Sequence, residues 1–171
     1  MLEITSYRWV PEMAQGYVRD LRARWACEEL GLPYKMRLIG RAEQAIDHPY
    51  RQEQPFGQVP VLHDGLICIF ESGAIALHIA EKSNVLLPVN PVARARVKAW
   101  VFAAINSIEP AIASYSEVFV FQKEKDWAQG KRPFAIAVLE KRLGDLGRFL
   151  QDREYLEGGF SVADLMMACA S

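Results

Sequence analysis

The sequence predicts a two-part protein: an α/β layer in the order β-α-β then β-β-α, followed by an all-helical region. Three observations predict it. Strand signals stop at a proline-marked linker over residues 83–91. An Asp64-Gly65 pair lies between two short apolar runs, which signals a tight hairpin. Beyond Pro91, apolar residues recur at spacings of three and four, the helical period.

The first element is a strand over Leu2 to Trp9, which mixes β-branched, aromatic and polar residues. A loop through Pro11 and Gly16 leads to a helix over Tyr17 to Leu30, with Val18, Leu21 and Trp25 on one stripe. Gly31 ends that helix and Pro33 blocks its continuation. Tyr34 to Ile39 is the second strand, and the order strand, helix, strand predicts a parallel pair. Residues 40–58 are polar and hold two prolines, so they form a connector with a short helix near Ala42 to Asp47.

The hairpin follows. Pro60 opens its first run, where a strand can spare its N–H. Glu71-Ser72-Gly73 ends the second run and opens the helix Ala74 to Ala80. A carboxylate and a hydroxyl thereby reach a helix N-terminus, which is a ready anion site. The same pair also reads as an ordinary helix cap, and Pro60 as a trans proline on an edge strand. Pro88 and Pro91 mark residues 83–91 as a linker between a domain over 1–82 and a second over 92–171.

In the second part, Pro91 to Ile108 and Pro110 to Gln122 are predicted helices. Asp126 to Pro133 is polar and predicted to turn, and Phe134 to Leu150 is strongly helical. Ser161 and Asp164 form a capping-box pattern after Gly158-Gly159 and ahead of an apolar run.

Composition bounds the function. A net charge of −1 leaves no electrostatic footprint for nucleic acid. No apolar run approaches the roughly 18–20 residues that span a membrane. The N-terminus lacks signal-peptide features, so the expected location is cytoplasmic. The three cysteines, Cys27, Cys68 and Cys169, have apolar neighbours and are expected to be buried and inert. His48, His63 and His78 show no metal-ligand spacing, and no metal is expected.

Together these residues resemble a known family. Arg22 to Tyr34, Pro55-Phe56-Gly57-Gln58-Val59-Pro60-Val61-Leu62, Phe70-Glu71-Ser72-Gly73-Ala74-Ile75 and the Ser161–Asp164 box are similar to the cytosolic glutathione transferase superfamily, in a bacterial-type form. The resemblance implies a thioredoxin-like N-terminal domain and an all-helical C-terminal domain. It implies a cis bond before Pro60 and a glutathione site built from Gln58, Val59, Pro60, Glu71 and Ser72. Glutathione would serve as co-substrate, with Ser72 meeting the glutamyl carboxylate and Glu71 the ammonium. Val59 would pair with the cysteinyl backbone as an added strand.

The thiol of glutathione needs an activator, since a free thiol has a pKa of about 8.5. Family members use a hydroxyl or a cysteine near the first strand and helix. Here Tyr17 is the first candidate, with Tyr7 and Ser6 as alternatives. Cys27 falls too late in the helix to form a mixed disulfide. The resemblance also implies a homodimer and a small hydrophobic electrophile, with Trp9, Tyr115 and Phe119 as candidate contacts. The family usually continues past the position of Ser171, so truncation is expected. The alternatives are a non-catalytic binding module on the same scaffold, a glutathione-dependent isomerase, and a reductase that would want a cysteine near residue 17.

Overall fold

The computed structural model of the chain describes residues 1–170. The chain divides into two compact units, Met1–Val89 and a second that begins at Asn90.

In the first unit, β1 (Leu2–Tyr7) pairs in parallel with β2 (Tyr34–Ile39), from Leu2 opposite Tyr34 to Tyr7 opposite Ile39. Helix α1 (Asp20–Glu29) makes the crossover between them. The hairpin is β3 (Val61–Asp64) and β4 (Ile67–Phe70), and the sheet order is β2-β1-β3-β4. Helix α2 (Ser72–Ala80) starts one residue beyond β4.

Alternation along each strand separates two faces. Leu2, Ile4 and Leu62 lie on one face, and they are buried with Ala23, Ala26 and Cys27 of α1 and Ile75, Ala76 and Ile79 of α2. Each fully buried Ile or Leu contributes about 1.5–3 kcal/mol of apolar burial. On the opposite face, Ile39, Tyr50, Val59 and Val61 form a second buried cluster with Tyr7, Val18 and Phe70 packed against it. Tyr50 comes from a 3₁₀ turn, Pro49–Gln52, in the connector.

Two predicted boundaries move. The first strand ends at Tyr7, and Trp9 lies exposed in the loop beyond it. Helix α1 begins at Asp20 rather than Tyr17, because a 3₁₀ turn at Glu12–Ala14 and Gly16 at φ +83° intervene. Where the sequence suggests one short helix near Ala42 to Asp47, the connector holds two 3₁₀ turns, Ala42–Gln44 and Pro49–Gln52.

The second unit is helical. Helix α3 (Pro91–Ala103) is capped by the Asn90 carboxamide, which accepts from Val92 N–H at 3.0 Å and Ala93 N–H at 3.1 Å. It runs into a π-helical turn, Ala104–Ile108, then α4 (Glu109–Ser116), then a second π-helical turn, Glu117–Phe121. Helix α5 spans Asp126–Leu150. The predicted turn at Asp126 to Pro133 is therefore helix. Its polar residues hold it to the preceding segment: Lys131 pairs with Glu117 at 2.8 Å, and Arg132 donates to the Lys123 carbonyl at 2.9 Å. Ala128 is buried beside Val118 and Ala135.

Helix α6 (Val162–Ala168) carries a complete capping box. The Asp164 carboxylate accepts from the Ser161 N–H at 2.9 Å, the Ser161 hydroxyl at 2.8 Å and the Leu156 N–H at 2.8 Å.

The cysteines are not alike. Cys27 is buried, and burial pushes its thiol up to about 11. Cys169 is half-buried and Cys68 is exposed, so the expectation of three buried thiols is corrected. Cys68 is exposed because β4 is an edge strand and this residue lies opposite His63, away from the apolar cluster. A thiol reagent at neutral pH is expected to label Cys68 in the native protein and Cys27 only after denaturation. Mass spectrometry of the labelled peptides checks this.

Candidate functional site

The hairpin register sets the geometry. Val61 opposite Phe70 is its last pair, so Pro60 and Glu71 leave the sheet side by side. The Val59–Pro60 peptide bond is cis, and both residues are buried. Glu71 has φ 72° and ψ 113°, making it the one positive-φ residue other than glycine among the described residues. Such a backbone costs of order 1–3 kcal/mol and persists only where its surroundings fix it. Here it turns the chain so that Ser72 starts α2 directly after the strand.

Ser72 is buried, and its hydroxyl oxygen accepts from Nη1 of the buried Arg22 at 2.9 Å. That bond leaves the hydroxyl hydrogen available to donate. It also joins the first turns of α1 and α2. The first N–H groups of α2 lack intrahelical acceptors and share the helix-end partial positive charge, a setting suited to a carboxylate. The Glu71 side chain is exposed beside them.

Behind the cis peptide the connector is held firmly. The buried Tyr50 hydroxyl donates to the Gln58 carbonyl at 2.5 Å, and burial drives its phenol well above the usual tyrosine range. The Arg51 guanidinium donates to the carbonyls of Gln44 at 2.6 Å and Pro55 at 3.0 Å. Gly57, at φ +65°, is needed twice over: a Cβ there would sit 2.5 Å from the Arg51 guanidinium carbon. The Gln58 side chain itself is exposed.

The three hydroxyl candidates have different settings. Tyr7 points to the same face as Val61 and packs against the cluster that includes Val59. Burial raises its phenol above the usual range, while a hydrogen bond to the Val59 backbone and the nearby Arg19 guanidinium oppose that rise. Ser6 is buried and alternates to the other face of the sheet, with Ile4. Tyr17 is 82% exposed, three residues ahead of α1. The structure therefore brings Tyr7 to Val59 and leaves Tyr17 in solvent.

In the second unit, Tyr115 and Phe119 stack with ring centroids 4.4 Å apart.

Sequence reasoning missed a polar network at the far end of the outer sheet face. Arg37 binds the Glu53 carboxylate through both terminal nitrogens and donates to the Thr5 hydroxyl at 3.0 Å. Its guanidinium also lies over the Tyr50 ring, 5.5 Å from the centroid. His63 Nε2 meets Glu53 Oε2 at 2.9 Å and Cys68 Sγ at 3.7 Å. Arg37, followed by His63, holds the Glu53 carboxyl below the usual carboxylate range. The signal lies in the register, since Thr5 pairs with Arg37, Glu3 with His63, and His63 with Cys68.

A four-stranded β2-β1-β3-β4 sheet with a cis-proline hairpin leading into a helix, followed by a helical unit, defines the thioredoxin-like two-part class. Comparison with known proteins agrees. Residues 13–81 match the family described as glutathione S-transferase, N-terminal domain. Glutathione S-transferase 4 of Zea mays is 35% identical over 152 residues, which cover 84% of this chain and 67% of that protein. A glutathione S-transferase of Hyoscyamus muticus is 32% identical over 139 residues, covering 74% of this chain and 65% of that protein. The chain thus spans about two thirds of the length of these relatives. Elongation factor 1-gamma of Prunus avium is 30% identical over 126 residues, covering 70% of this chain and 29% of that protein. Among solved structures, a glutathione transferase from Pseudomonas putida with one glutathione disulfide bound per subunit superposes with a TM-score of 0.83. It is 21% identical and covers 99% of this chain and 73% of that one. The chain belongs to the cytosolic glutathione transferase superfamily.

Proposed function

We propose that this protein binds glutathione in its first unit and transfers it to a small hydrophobic electrophile. One observation carries the reading: the cis Val59–Pro60 bond and the Arg22-anchored Ser72 at the start of α2 leave the same end of one hairpin. The Val59 backbone takes the cysteinyl residue as an added strand. The Ser72 hydroxyl and the α2 N-terminus take the glutamyl carboxylate, Glu71 faces the ammonium, and Gln58 is available to the other end of the peptide.

Tyr7 is the favoured thiol donor in this reading, ahead of Tyr17, because it packs against the cluster that includes Val59 while Tyr17 is exposed three residues ahead of α1. A phenol that donates to sulfur stabilises the thiolate, and binding brings that thiolate up to the electrophile. With an aryl halide, the carbon–sulfur bond forms, halide leaves, and the thiol proton passes to solvent. In this proposal the protein acts as a cytoplasmic homodimer, as the family resemblance implies, and needs no metal for the transfer.

The test measures glutathione affinity by calorimetry and turnover of a generic aryl halide. Tyr7→Phe is expected to lower kcat by about 100-fold with little change in affinity, the usual scale for losing one donor to a developing anion. Tyr17→Phe is expected to leave both unchanged. Loss of turnover in Tyr17→Phe alone would reverse the assignment. Wild-type binding without turnover would favour a non-catalytic module on the same scaffold.

A further inference from the structure

Three donor atoms from separate segments converge on the outer sheet face, at the end opposite the cis-proline. Glu53 Oε2, His63 Nε2 and Cys68 Sγ all lie within 4.8 Å of one another. Glu53 follows the 3₁₀ turn Pro49–Gln52, His63 is on β3, and Cys68 is its cross-strand partner on β4. We propose that these three residues form a binding site for a thiophilic divalent cation of the Zn²⁺ type.

The spacing fits. A tetrahedral zinc bonded to nitrogen and oxygen at about 2.1 Å and to sulfur at about 2.3 Å sets nitrogen and oxygen about 3.4 Å apart, and nitrogen and sulfur about 3.6 Å apart. Here those separations are 2.9 Å and 3.7 Å, and the carboxylate oxygen and the sulfur, which an ion would hold at about the nitrogen–sulfur spacing, lie within 4.8 Å. Small side-chain rotations close the difference.

Hydrogen bonding leaves room for an ion. His63 presents the same ring nitrogen to both Glu53 and Cys68, and that nitrogen carries at most one proton. A cation at the centre takes a lone pair from all three atoms at once. The carboxylate is already held in orientation, because Arg37 donates to it through both terminal nitrogens, Nη1 to Oε1 at 3.2 Å and Nη2 to Oε2, and Oε2 keeps a second lone pair on the side of His63 Nε2, 2.9 Å away. Ligating carboxylates are commonly oriented by such outer partners. The Arg37 charge is itself partly met by Glu3, 4.0 Å away. Cys68 faces solvent, so ions have access and a fourth ligand position stays open to water. Imidazole and thiolate together select Zn²⁺ or Co²⁺ over Mg²⁺ or Ca²⁺. An ion held there would tie the hairpin to the connector that carries Gln58 and Val59.

Cobalt is the probe, titrated into the protein with a phosphine reductant and no glutathione, so the result does not depend on the transferase proposal. One Co²⁺ per chain is expected, with a near-ultraviolet thiolate-to-cobalt absorption band that Zn²⁺ abolishes. Cys68→Ala, Cys68→Ser and His63→Ala are expected to lose the band while keeping native circular dichroism. Cys27→Ala and Cys169→Ala are expected to keep it. Zn²⁺ is expected to raise the Tm of the wild type and not that of Cys68→Ala. No band in the wild type, or a band of equal intensity in Cys68→Ala, would overturn the proposal.

Discussion

Replacing Asp164 with alanine is expected to destabilise the protein by about 3 kcal/mol. The carboxylate accepts three hydrogen bonds, two from Ser161 and one from the Leu156 N–H, at 2.8–2.9 Å. Hydrogen bonds to a charged group are each worth about 1.5–3 kcal/mol, and three on one carboxylate do not add fully. The flanking residues Val162, Ala163, Leu165 and Met166 are buried, so loosening the start of α6 disturbs a packed layer. Ser161→Ala removes less and is expected to cost about 1 kcal/mol. Urea unfolding of both variants, followed by circular dichroism, makes the comparison. An Asp164→Ala loss no larger than that of Ser161→Ala would show that the Leu156 bond contributes nothing.

Arg22→Ala is the second large effect, expected to cost about 2–4 kcal/mol in stability and at least tenfold in glutathione affinity. Arg22 is buried on α1, and its guanidinium reaches the Ser72 hydroxyl on α2, fifty residues away in sequence. Truncation removes a charge-assisted bond and leaves a void between the two helix starts. Arg22→Lys keeps the stem and the charge but not the planar fork, so it is expected to recover stability more than affinity. Arg24→Ala is the comparison: that guanidinium is half exposed and meets the buried Asp20 carboxylate at 3.4 Å, longer than a strong charge-assisted bond, so it is expected to cost less than Arg22→Ala. Calorimetric glutathione titration beside thermal unfolding separates the two effects. An Arg22→Ala variant that binds glutathione at wild-type strength would remove Ser72 from the proposed site.

Much of the fold was legible because local signals and tertiary demands agreed. β2 falls on Tyr34–Ile39 as the sequence predicts, since Pro33 and Gly40 bracket it. The Asp64-Gly65 turn and the Ser161–Asp164 box carry their geometry in two to four adjacent residues. Asp126–Pro133 was illegible for the opposite reason. Gly130, Lys131, Arg132 and Pro133 have a turn's composition, but Lys131 and Arg132 are anchored to Glu117, Val118 and Lys123, and those contacts outweigh propensity. The π-helical turns at 104–108 and 117–121 shift the residue period in a way that apolar spacing does not reveal.

At the candidate site, the hairpin ends and Ser72 were readable because they are contiguous in the chain. Arg22 as the partner of Ser72 was not, because a helix-face arginine reads as a surface charge until its burial is known. The choice among Tyr7, Tyr17 and Ser6 depends on strand parity and on where α1 starts, and a count along the chain misjudged the latter by three residues. Glu53, His63 and Cys68 stayed scattered until the register joined them.

The connector over 49–53 is gripped by two unlike forces only three residues apart. Tyr50 is sunk in an oily pocket, while Glu53 is moored to a guanidinium and an imidazole. Added salt weakens the second mooring and spares the first, whereas cooling erodes the oily one. The stretch leading to Gln58 can therefore come adrift at one anchor without slipping the other.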